Sequence, residues 1–151
     1  MGYTNYWTPS KKFQKTGKEF DPVMIDIMKR AVEHYNGKQS DPKMKLQYAL
    51  DSTHVELFGE KATYETLNIV LEPDPTYGRF GIDNWFFCKT AREPYDVVVK
   101  LFLSLLQYFG VIDDWSHDDN NACAEYRRAK KFAQEVLTDV EYDLMWLPAK
   151  R

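Results

Sequence analysis

The run Cys88-Lys89-Thr90-Ala91-Arg92-Glu93-Pro94-Tyr95-Asp96 places two cations, two hydroxyls and a thiol just ahead of the most hydrophobic stretch of the chain. Pro94 at a first helical position has a φ already suited to a helix, and the unpaired N–H groups of such an end carry about half a positive charge. The chemistry this predicts is anion binding. Lys89 and Arg92 bring charge, Arg92 a fork that matches phosphate or carboxylate, Thr90 a hydroxyl, and Tyr95 completes the set. The structural alternative is local pairing of Lys89 and Arg92 with Asp or Glu, with Glu93 capping and Tyr95 packing. Cys88 has a cation beside it, but next to Phe86 and Phe87 it reads as a buried, inert thiol.

Two further groups of residues carry chemistry. Tyr3, Asn5, Tyr6 and Trp7 are types that stack on a flat ring and hydrogen-bond its edge, as nucleobase sites do. They also read as plain core. Exposure separates the two readings: a Tyr3 or Trp7 that opens into the cleft of Arg92 favours a nucleotide-like ligand. The acidic run Asp113 to Asp119 has donors enough for a divalent metal, with Asp114, His117 and Asp118 as the set, yet it fits no EF-hand or zinc spacing. Its structural alternative is a solvated loop whose last residues cap a helix. His34 and His54 have no motif around them. A G-x-S-x-G elbow, a P-loop, a Rossmann fingerprint and a His-x-Thr pair are absent from the sequence.

The elements that must position these residues follow from periodicity. Gly2 to Thr8 predicts a strand with Tyr3, Asn5 and Trp7 on one face, ended by Pro9. Ser10 to Glu19 predicts a basic surface loop. Asp21-Pro22 predicts a helix start, with Met24, Ile27, Met28, Ala31 and Tyr35 inward and Gly37 closing. Alternation at Leu46 to Leu50, Val55 to Leu57 and Leu67 to Leu71 predicts an antiparallel meander with a turn at Gly59-Glu60-Lys61. Glu72 to Asn84 reads as a long loop, Trp85 to Phe87 as a short strand, and Pro94 to Phe109 as a covered helix whose polar stripe is Lys100, Ser104 and Gln107. Gly110 ends it. Asn121 predicts the cap of a last helix with Ala122, Tyr126, Ala129, Phe132, Ala133 and Val136 inward. The tail from Asp139 keeps Tyr142, Leu144, Met145, Trp146 and Leu147, so it should dock on the domain or on a second subunit. The expected fold is α+β, an antiparallel sheet with about three helices packed on it, in one domain over residues 1–151.

Composition narrows the class. A chain of 151 residues, 44% hydrophobic and 15% aromatic, can bury a core of its own. Its net charge of −3 offers no basic field for nucleic acid. The run Val97 to Phe109 is shorter than the roughly 20 apolar residues of a membrane span. Cys88 and Cys123 show no paired framework and the start MGYTNYWTPS no secretory pattern, so a reducing cytosol is expected.

Met1-Gly2-Tyr3-Thr4-Asn5-Tyr6-Trp7, and Phe87 to Asp96 running into Val97-Val98, resemble a family of small, uncharacterised phage and prophage proteins. Its members open with a GYT-x-YW string and carry CKTAR-x-PYD before an apolar helix. Members often have His where this chain has Asn5, so acid–base chemistry at that position is not expected here. The resemblance implies a phage accessory protein in the host cytosol. Together with the residues it leads to a non-enzymatic protein that binds an anionic, nucleotide-like small molecule through Lys89, Thr90, Arg92, Tyr95, Tyr3, Asn5 and Trp7, and sequesters a host immune signal. No cofactor is implied. The alternatives are a metal-dependent phosphodiesterase or nuclease at the acidic run, and a module that blocks a host enzyme through the tail around Trp146. A homo-oligomer would let a pocket form between subunits.

Overall fold

A computed structural model describes residues 3–14, 16, 18–60, 65–74, 79–82 and 87–149. Strands and helices follow the order β1 (Thr4–Pro9), α1 (Lys11–Gln14), α2 (Pro22–Gly37), β2 (Leu46–Leu50), β3 (His54–Gly59), β4 (Leu67–Asp74), β5 (Arg79–Ile82), β6 (Phe87–Lys89), α3 (Asp96–Tyr108), β7 (Ile112–His117), α4 (Ala124–Val136) and α5 (Asp139–Met145). The fold is α+β, with two antiparallel sheets of order β6-β1-β7 and β2-β3-β4-β5. No helix among the described residues is long and apolar enough to cross a membrane.

α3 is the hub. It packs on β7, α2, α4 and α5, and from Val98 to Leu106 every residue is buried, which is what an apolar helix covered on all sides requires. Gly110 at φ +77 closes it: Gly110 N–H donates to Gln107 and Val111 N–H to Leu106, a Schellman ending that only a left-handed residue permits. α2 begins as its sequence predicts, with Asp21 accepting from the Val23 N–H at 2.8 Å ahead of Pro22, and it buries Met24, Ile27, Met28, Ala31 and Tyr35.

Several elements differ from the sequence reading, each for a local reason. The segment after Pro9 makes one helical turn, Lys11–Gln14, because Ser10 Oγ accepts from the Phe13 N–H. β4 runs on to Asp74 and pairs with β5 from Leu71↔Ile82 to Asp74↔Arg79, so part of the expected loop is a hairpin. The short strand or loop expected from Val111 and Ile112 is strand β7, and it takes in the acidic run as far as His117. A bulge against β1, with Asp114 at φ +54, turns Asp113 and Asp114 outward while Trp115 and His117 face in. Cys123, not Asn121, caps α4, its Sγ accepting from the Tyr126 N–H, and Ala122 is exposed. Expectations that touch Gly2, Lys61, residues 75–78, Asn84, Trp85 and Phe86 lie outside the described residues.

The tail folds back. Thr138 and Glu141 form a capping box at α5, Ser104 Oγ on α3 donates to the Met145 carbonyl at 2.6 Å and accepts from the Leu147 N–H at 2.7 Å, and Trp146 packs 5.7 Å from Trp115 and 5.6 Å from Tyr126.

Candidate functional site

β1 and β6 build the site. They pair Thr4↔Lys89 and Asn5↔Cys88, and the chain leaving β6 hooks back so that both the Thr90 and Ala91 N–H groups donate to the Tyr3 carbonyl, at 2.9 and 3.1 Å. The next turn is closed by Glu93 N–H to Thr90 O at 2.9 Å, with Ala91 at φ +51 and Arg92 at φ +59. Two consecutive left-handed residues with that bond have the arrangement of a type I′ turn, which side-chain-bearing residues rarely adopt. Such strain persists where surrounding contacts over-determine it.

The turn lays the Arg92 guanidinium 4.9 Å from the centroid of the Tyr3 ring. From there Arg92 Nη1 donates to Glu125 Oε1 on α4, Arg92 Nη2 stands 3.8 Å from Asp119, and Arg128 Nη2 stands 3.9 Å from that same Glu125 oxygen. Burial pushes the Glu125 carboxyl up, but the hydrogen bond from Arg92 and the charges of Arg92 and Arg128 outweigh it and hold the group below the usual carboxylate range. The hydrogen bond to Glu125 likewise raises Arg92. These residues edge a cleft of about 320 Å³, with Glu93, Pro94 and Val97 along the α3 side and Asp96, 3% exposed, as its most buried lining residue.

Beneath the cleft lies a buried polar network. Asp96 Oδ1 accepts from Thr90 Oγ1 at 2.6 Å, Asn5 Nδ2 at 2.8 Å and Lys100 Nζ at 3.2 Å, and Lys100 also donates to Asn5 Oδ1 at 2.6 Å. Lys100 is fully buried, and its Nζ sits 4.3 Å from the Tyr3 ring centroid. Burial pulls its ammonium down from the ordinary lysine value, and the attraction of Asp96 only partly restores it. Tyr3 Oη meets His117 Nδ1 at 2.5 Å and Cys123 Sγ at 3.7 Å, and burial raises its phenol so that it stays protonated.

The structure therefore brings together Tyr3, Asn5, Thr90 and Arg92, and it separates Lys89, Tyr95 and Trp7 from the cleft. Lys89 is exposed on β6 with its Nζ 5.7 Å from the Phe87 ring, Tyr95 is buried with its hydroxyl donating to the Glu65 carbonyl at 3.1 Å, and Trp7 is in the core. Tyr3 is 0% and Trp7 3% exposed, so neither ring offers a free face to a base in this state. The helix end is bonded as well: the Asp96, Val97 and Val98 N–H groups donate to the Glu93, Pro94 and Tyr95 carbonyls. Side chains, not those amides, are what an anion would meet. Cys88 is buried, which pushes its thiol up and keeps it protonated.

Of the acidic run, His117 faces inward, stacked on Tyr126 at 5.2 Å. Its Nε2 lies 2.8 Å from Asn121 Oδ1, its Nδ1 lies 2.8 Å from the Asp118 carbonyl, and Asn121 Nδ2 donates to the Ala149 carbonyl. Asp118 accepts from the Thr4 N–H and the Tyr6 hydroxyl, both at 3.0 Å, and Asp114 is exposed on the outer face. Among the described residues, no group of three or more His, Cys, Asp or Glu side chains is arranged to hold a metal.

Sequence reasoning missed Lys100, Glu125 and Arg128. Asp96 and Lys100 stand four apart at the head of an apolar helix, a spacing that marks an ion pair on one face. No local pattern signals that Glu125, 33 positions from Arg92, closes the cleft. The chain matches no family model, no curated protein and no solved structure.

Proposed function

We propose that the protein binds a small anionic molecule of nucleotide size, held by the Arg92 and Arg128 guanidiniums in the cleft between the turn and α4. The observation that carries this reading is that both guanidiniums converge on one carboxylate, Glu125, at the rim of a cleft of about 320 Å³. That volume is within the range of small-ligand pockets. Each guanidinium has five N–H donors, so sharing Glu125 leaves donors on both for a phosphate or carboxylate. Tyr3, whose hydroxyl meets His117 at the end of β7, holds Arg92 in place through its ring face. The role that fits a phage accessory protein is sequestration: a host nucleotide signal is held, with Arg92 and Arg128 as clamp and the Asn5–Thr90–Asp96–Lys100 network as a rigid base.

A thermal-shift series over nucleoside mono-, di- and cyclic phosphates, with ribose 5-phosphate and inorganic phosphate, tests the reading. A compound at a hundred times its Kd stabilises by about 2.7 kcal/mol, which is readily seen. The expected result is a shift that Arg92→Glu and Arg128→Glu each abolish. No shift by any phosphate-bearing compound at millimolar concentration, or one that both variants retain, overturns it.

A further inference from the structure

The guanidiniums of the clamp already share the cleft with carboxylates. Glu125 Oε1 accepts from Arg92 Nη1 and stands 3.9 Å from Arg128 Nη2, while Asp119 Oδ2 stands 3.8 Å from Arg92 Nη2. Glu93 lines the α3 side. Deeper in, Asp96 lies 3.0 Å from Lys100 Nζ, so that pair adds no net charge, and the charge of Glu125 is felt there by Lys100 and by the Tyr3 hydroxyl. The Glu125 side chain is 10% exposed, so water screens it less than it screens the guanidiniums it meets.

We infer that the group bound at Arg92 and Arg128 carries a single negative charge, as a phosphodiester or a carboxylate does, and that Glu125 is the residue that selects against a doubly charged terminal phosphate. This rests on the anion-binding reading of the same cleft and adds to it the charge class of the ligand. At the clamp itself two cations face one carboxylate, which leaves one positive charge for a ligand. A monoanion balances it. A phosphate monoester carries nearly two charges at neutral pH, and its second charge meets Glu125, with Glu93 and Asp119 beyond. Like charges brought together across a binding surface reject the partner that brings them. Hydrogen bonding does not discriminate in this way. Each guanidinium has N–H groups besides the one turned to Glu125, so donors are available to either kind of anion and charge separates them.

The test is isothermal titration of the wild-type protein with adenosine 5′-monophosphate, its methyl ester and adenosine 5′-carboxylate. At about pH 8 the monophosphate is doubly charged and the other two singly, since the second phosphate proton leaves with a pKa of about 6. The expected result there is that the ester or the carboxylate binds at least about tenfold tighter than the monophosphate, and the tighter of the two names the source of the charge. At about pH 5 the monophosphate has regained its proton and should draw level with the ester, which is singly charged at both pH values and so corrects for titration of the protein. Glu125→Gln should remove most of the preference at about pH 8. A monophosphate that binds within tenfold of both analogues or tighter, or a ratio to the ester that does not change with pH, overturns the inference and leaves the anion clamp standing. A preference that survives Glu125→Gln overturns the role of Glu125, and the wild-type comparison stands whether or not that variant folds. Binding by none of the three overturns the charge class and the clamp together.

Discussion

At the scale of single residues, Lys100 is the side chain on which the site depends most. A buried ammonium is tolerated only when its donors are met, and here Asn5, Asp96 and the Tyr3 ring meet them. Lys100→Met removes that charge and leaves Asp96 buried and uncompensated, so it should cost about 3–5 kcal/mol in urea unfolding. Adding Asp96→Asn to it should recover a large part of the loss. If the double variant is no more stable than the single one, the pair is not the coupled unit described. Arg92 differs in lying at the surface, and under the anion-binding proposal its removal should weaken ligand contact more than it weakens the fold. Arg92→Ala should leave the unfolding midpoint nearly unchanged while weakening nucleotide binding by at least about tenfold, the loss of one charge-assisted contact. An equal loss of stability and affinity would assign Arg92 a structural role instead.

At the scale of elements, the turn that carries Arg92 is strained, and the strain is measurable. Ala91 at φ +51 pays for a conformation that glycine adopts freely. Ala91→Gly should raise stability by about 1 kcal/mol, a rise of roughly 2–4 °C in Tm for a chain of this size. A fall in Tm would mean that the methyl group packs and that the turn is not strained. Strand edges are closed by side chains in the same economical way. Asn36 both donates to the Leu46 carbonyl and accepts from its N–H, Gln107 accepts from the Trp115 N–H, and Glu65 accepts from the Lys89 N–H. These edges thus offer fewer free groups to another chain. Here the reach of the sequence is plain. Apolar alternation located the meander, and Asp21-Pro22 and Gly110 located the ends of α2 and α3, because those signals are local. The acidic run misled because composition alone cannot show a bulge that splits Asp113 and Asp114 from Trp115 and His117. The polar stripe of α3 was visible, but its purpose was not. Lys100 serves the network, Ser104 clamps the tail and Gln107 closes β7, and each depends on an element distant in sequence.

At the scale of the whole molecule, ion pairs tie the outer helices to one another and set the response to acid. Hydrogen bonds from Lys38 and His34 lower Glu135, and one from Arg30 lowers Glu141, so α2 is joined to α4 and α5 by carboxylates held below their ordinary range. A carboxyl whose folded value is depressed stabilises above its unfolded value, about 4.3, and that contribution is lost as pH falls through the lower folded value. Tm should therefore decline below about pH 4.5, and Glu135→Gln with Glu141→Gln should flatten the decline. The gain is small because these pairs are partly exposed, each worth under about 1 kcal/mol. A decline of the same steepness in the double variant would place the acid-sensitive groups elsewhere.

Entry of an anion into the cleft between Arg92 and Arg128 is tested most directly by titrating isotope-labelled protein with adenosine, guanosine or cytidine 5′-monophosphate, followed by NMR. Saturable shifts are expected of the Arg92 and Arg128 side-chain N–H signals and of the Asp96, Val97 and Glu125 amides, with the β2 to β4 sheet unmoved. Saturable binding whose shifts fall on another surface, or no shift at any of these groups, would contradict it.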